Sequence, residues 1–176
     1  VLDSAILTGV DLHETVLAGV WFKGAELVNA NLAGVTLTTT DLSEAKLNGA
    51  NLTNANLSGS TLSRADLNGA RLSGVNLSGV WLNRALLIGA DLTKADLSGV
   101  GLIGASLASA DLTDSNLVGA SLIGADLKGA ALQATNLRGT RWRRSALNAE
   151  DLADPVIAEL NELQRIPNAA KFGGAT

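Results

Sequence analysis

Leucine returns every five residues along this chain. From Leu2 to Leu152 there are 31 positions at that spacing; Leu fills 29 of them, and Phe22 and Trp142 fill the others. The site two residues earlier is held small. Of its 30 occurrences from Ala5 to Glu150, 16 are Ala, 6 Val, 4 Thr and 3 Ser, and only Glu150 is large. Between these two sites stands Asp or Asn in 14 units, and two residues after Leu stand 16 of the 19 glycines. One unit therefore reads A-(D/N)-L-x-G, as in Ala65-Asp66-Leu67-Asn68-Gly69. No insertion breaks the register.

A period of five excludes the two regular backbones. On a helix, five residues rotate by about 500°, so successive leucines spiral around the axis. On a straight strand an odd spacing sends them to alternate faces. To bury every fifth residue the chain must turn a corner in each unit. Corners of about 90° close a square coil of 20 residues; a triangular coil takes 15. The columns favour 20. Asn31 and Asn51, Asn56 and Asn76, and Asn116 and Asn136 are each 20 apart. Glu26, Lys46 and Asp66 alternate in sign at the same interval, a compatible cross-strand ladder. Such a coil takes Leu and Ala rather than aromatics inside, which fits a chain 47% hydrophobic but only 3% aromatic. Phe22, Leu67, Leu87, Leu127 and Trp142 are expected in this core ladder, and backbone carbonyls are expected to satisfy the inward Thr15, Thr40, Ser60, Ser115, Thr135 and Thr140.

These tandem units resemble the pentapeptide repeat family, including its cyanobacterial members, over residues 1–152. The resemblance implies an all-β solenoid, a right-handed quadrilateral β-helix with the central Leu or Phe and the preceding small residue inward. At 20 residues per coil the repeat makes between seven and eight coils, roughly 36 Å long at ~4.8 Å per stacked strand. Residues 1–153 are expected to form this β-helix. In 154–176, Asp154-Pro155 is a helix-start signal and Val156, Ile157, Leu160 and Leu163 form one stripe, so a short capping α-helix and a tail are expected there.

Chemistry is sparse. The chain has no Cys and a single histidine, His13, so Cys-based metal sites and His clusters are excluded. Outward residues on flat faces converge on no pocket, so no enzyme activity, cofactor or metal is expected. No apolar run approaches the ~18 residues of a membrane span. The cytoplasm is the default compartment, with periplasm and thylakoid lumen open because family members occur there.

The charge is two-sided when folded at 20. One face sets Lys23, Arg64, Arg84, Arg141, Arg143 and Arg144 against Asp3, Asp41 and Glu44, net +3; the opposite face sets Asp11, Glu14, Asp91, Asp111, Asp114, Glu150 and Asp151 against Arg71 and Lys94, net -5. Trp21 and Trp81 fall in one outward column of the basic face, three coils apart, with Gly101 following Trp81. Exposed Trp beside Arg is a common interface anchor. The expectation is a solenoid acting by shape and surface: it binds a protein partner of unknown identity, pairs with a second copy through a solenoid end, and binds no nucleic acid directly. The resemblance also offers DNA gyrase, since one branch of the family binds it by mimicking duplex DNA. Here the mimicry is one-sided, because duplex DNA is negative all round.

Overall fold

The computed structural model describes residues 1–142. The expected capping helix and tail lie outside the described residues, as do Arg143, Arg144, Glu150 and Asp151. Parallel bridges join the residues before the central Leu to those 20 later, from Ile6↔Glu26 to Ser121↔Arg141, with one gap at Trp21 and Asp41. Four units thus close one coil, and 142 residues make about seven coils.

One unit shows how the backbone closes. Lys46 N–H donates to the Ala25 carbonyl of the coil before (2.9 Å), and Leu47 N–H to the Asp66 carbonyl of the coil after (2.7 Å). At the corner, Gly49 N–H donates onward to Asn68 O (3.0 Å), and Ala50 N–H folds back onto Leu47 O (3.0 Å). The site two after Leu has positive φ in every unit from Ser4 to Gly139. Glycine takes 16 of these corners without Cβ strain. The other 12 hold residues such as Asn29, Arg64, Arg84 and Ala134, with φ between 55° and 62°. The square turn therefore imposes the left-handed conformation even where the residue disfavours it.

The preference for Asp or Asn before Leu has a local cause. Its side-chain oxygen accepts the N–H two residues on, as in Ser43 N–H to Asp41 (2.9 Å), Ser78 N–H to Asn76 (3.0 Å), Thr93 N–H to Asp91 (3.0 Å) and Thr113 N–H to Asp111 (2.9 Å). This is an Asx turn, which starts the corner in units that carry Asp or Asn. Either amide or carboxylate serves it.

The interior is filled by the expected columns. Phe22, Leu67, Leu87, Leu127 and Trp142 are all buried, as are Val80 and Val100. The inward hydroxyls do find carbonyls: Thr15 donates to Leu12 O (2.6 Å), Ser115 to Leu112 O (2.7 Å), Thr135 to the same oxygen (2.8 Å), and Thr140 to Leu137 O (2.8 Å).

One corner is irregular. Thr40 and Ser60 are consecutive in an inward column otherwise held mainly by Val. Ser60 Oγ donates to Leu37 O (2.5 Å) and accepts Thr40 N–H (3.0 Å). It so displaces the usual fold-back bond of Thr40 N–H onto Leu37 O. Among the described residues, Asp41 N–H lacks its regular bond to Val20 O, and the ladder has no bridge between Trp21 and Asp41. The neighbouring bonds Thr39 N–H to Ser58 O and Gly59 N–H to Ser78 O stretch to 3.3 and 3.4 Å.

Candidate interaction face

Only three residues of each unit point outward: the one before Leu and the two after it. On the first side of the square these place Trp21, Asp41, Thr61, Trp81, Gly101, Ser121 and Arg141 in one column, by the 20-residue register. Trp21 is 57% exposed and Trp81 58%. The Trp81 indole lies over Gly101: a Cβ on Gly101 would stand 3.0 Å from its Cε3. Glycine at that point lets the ring lie flat on the next coil.

Along the adjoining corner stand Lys23, Glu44, Arg64, Arg84 and Ile103. Arg64 Nη1 reaches Glu44 Oε1 at 3.9 Å, whereas Arg84 has no ion pair among the described residues. Ile103 is exposed beside it, its N–H held by Asn83 Oδ1 (2.9 Å). Within the described residues this face carries Lys23, Arg64, Arg84 and Arg141 against Asp3, Asp41 and Glu44. Its excess there is one positive charge; the +3 expected from the sequence also counts Arg143 and Arg144, which lie outside the described residues.

Trp21 and Trp81 also bound an open slot of about 380 Å³, floored by Asp41 and Thr61 and flanked by Thr39 and Gly59. It lies over the irregular corner at Thr40 and Ser60. Sequence reasoning found both tryptophans and missed the slot, whose signal was the pair of hydroxyls 20 apart in a column of valines.

The opposite side carries Asp11, Glu14, Asp91, Asp111 and Asp114. Asp91 and Asp111 are ladder neighbours, and each gives one oxygen to its own Asx turn. Asp11 Oδ1 meets His13 Nδ1 at 2.7 Å and Asn31 Nδ2 at 2.9 Å. The His13 contact holds the Asp11 carboxyl below its ordinary range, and the same hydrogen bond raises the imidazole. Both groups are exposed, and no third ligand joins them: among the described residues no cluster of three His, Cys, Asp or Glu could hold a metal ion. No helix of the described residues is long and apolar enough to cross a membrane.

A four-sided parallel β-helix with a packed bore and all its charged groups among the described residues outside is a solenoid of the repeat class. The model of the pentapeptide repeats, in eight copies, matches residues 5–43, 37–74, 70–107 and 102–139, and the chain belongs to that family. Its solved relatives imply the right-handed quadrilateral form. HetL, a pentapeptide repeat protein involved in heterocyst differentiation regulation in Nostoc sp. strain PCC 7120, is 31% identical over 81% of this chain and 76% of its own, with a TM-score of 0.46. The protein alr5209, from Nostoc PCC 7120, is 40% identical over 44% of this chain and 64% of its own, with a TM-score of 0.43. QnrB1, a plasmid-mediated fluoroquinolone resistance protein, is 17% identical over 89% of this chain and 95% of its own, with a TM-score of 0.53, a likeness of fold. No curated protein matches the chain.

Proposed function

We propose that this chain is a non-enzymatic interaction solenoid whose tryptophan face docks an acidic protein partner. The observation that carries this reading is Trp81: a flat, exposed indole bordered by Arg84, without an ion pair among the described residues, and by exposed Ile103. Binding surfaces concentrate their energy in such Trp and Arg anchors. A basic rim speeds the encounter with an acidic partner. The filled bore leaves the outer faces to do the work.

The test is affinity capture with the full chain and with an R64E/R84E/R141E variant. A partner retained by the parent chain and lost on charge reversal supports the reading. Equal retention by both, or retention by neither, overturns it.

A second reading is gyrase binding in the manner of a duplex mimic. The column Asp91–Asp111 and the nearby Asp114 favour it, because they line one side of a rod with acid. The tryptophan face opposes it. A supercoiling assay with purified gyrase, with and without a quinolone, distinguishes the two: inhibition or protection at micromolar protein supports mimicry, and no effect excludes it.

A further inference from the structure

The slot between the tryptophans has a chemistry of its own. Its ends are two indoles, each more than half exposed. They stand three coils apart in one column, ~14 Å at the usual strand spacing. Between them the lining offers the hydroxyl oxygens of Thr61 and Thr39, the carboxylate of Asp41 and the bare backbone of Gly59; Thr39 already donates to Thr38 O (2.7 Å) and Thr61 to Ser63 Oγ (3.4 Å), so both hydroxyls meet a ligand as acceptors. Asp41 gives Oδ1 to its own turn, which leaves its other oxygen to solvent.

That set sorts the occupants. An apolar peptide face needs pockets for its side chains, and this floor is hydroxyl and carboxylate. A nucleic-acid strand needs a basic groove beneath its phosphates, and the slot's charged group is Asp41. A sugar ring answers both features: its C–H face stacks on an indole, and its hydroxyl rim bonds to Thr and Asp. The two platforms lie in line on an open, straight face. An extended β-linked chain reaches both, whereas a coiled α-linked chain curves away after the first.

We propose that the Trp21–Trp81 slot binds a neutral, extended β-linked glycan, with Thr61 and Asp41 taking its hydroxyls. This goes beyond the docking of a protein partner: it uses coils two to five of the same face and shares Trp81 with that surface.

Native electrophoresis of the full chain tests it, in gels cast with soluble barley β-glucan, with soluble starch, or with no glycan. The parent chain and the R64E/R84E/R141E variant should both be retarded by β-glucan. Trp21→Ala and Trp81→Ala should lose roughly tenfold or more in apparent affinity, the scale of truncating one aromatic anchor. Thr61→Glu, which keeps both indoles and crowds the floor, should weaken retardation as well. Absence of retardation of the parent chain, or equal retardation of Trp21→Ala, overturns the proposal, and retardation by starch alone overturns the β-linked assignment. If β-glucan has no effect and Trp21→Ala instead abolishes capture of the protein partner, the slot belongs to the docking face and the glycan assignment falls.

Discussion

At the scale of single residues the corner position separates two costs. Gly69 has φ +63° and open space where a Cβ would stand, so Gly69→Ala carries only the strain of a left-handed L-residue, about 1–2 kcal/mol. Gly49 has nearly the same φ, +65°, but a Cβ there would lie 2.5 Å from Asn29 Oδ1. Gly49→Ala should therefore unfold at lower denaturant than Gly69→Ala, and equal midpoints would show that Asn29 swings clear without loss. His13 gives a second residue-scale prediction. Its folded pKa is raised above 6.5 by Asp11, so its contribution is full below 6.5 and fades as pH rises through the raised value. Asp11 is shifted below 3.8, so its contribution holds above 3.8 and is lost as pH falls through the lowered value. In a proton NMR titration of this single histidine, Asp11→Asn should move the midpoint down. An unmoved midpoint would assign the shift to another group, such as Glu14.

At the scale of the coil, one bond pattern serves every side of the square, and departures from it stand out. Ser115 and Thr135 are also hydroxyls stacked 20 apart, yet both donate to Leu112 O and the Asn116 N–H to Ala95 O bond, the counterpart of the one Asp41 lacks, remains at 2.9 Å. Thr40 and Ser60 differ because Ser60 Oγ accepts a backbone N–H as well as donating. That substitution loosens the ladder at Asp41. Hydrogen exchange should show the Asp41 amide exchanging faster than Asp66, whose N–H is bonded to Ala45 O at 2.9 Å. A Thr40→Val/Ser60→Ala variant, which removes both hydroxyls, should slow it. If Asp41 is already protected in the parent chain, the irregular corner is closed in solution.

At the scale of the whole molecule, charge rather than shape separates the faces. The Asx turn accepts Asp and Asn alike, so the choice between them is free to set the surface field. In the column of Asp11 it passes through Asn31, Asn51 and Arg71 before reaching Asp91 and Asp111. Partner binding through the opposite, tryptophan face should weaken as salt rises, because exposed charges are screened within about 10 Å at 0.1 M. The R64E/R84E/R141E variant should lose that salt dependence along with affinity. An affinity indifferent to salt in the parent chain would place the contact on the indoles alone.

The sequence by itself determined the coil. A strict period of five, with one large and one small apolar residue per unit, admits only a backbone that turns a corner each time, and the 20-residue columns chose the square. The core ladder from Phe22 to Trp142 and the carbonyl partners of the inward hydroxyls followed from that. Only the tertiary structure decided which outward groups cooperate. Trp21 and Trp81 are 60 residues apart and bound one slot because stacking brings each coil to within a strand spacing of the next. The opened ladder beneath them depends on which of several acceptors Ser60 Oγ reaches, a matter of ångströms that residue types do not encode. The Asx role of Asp and Asn lay within sequence range at i to i+2. It stayed hidden because the same residues also read as surface charge.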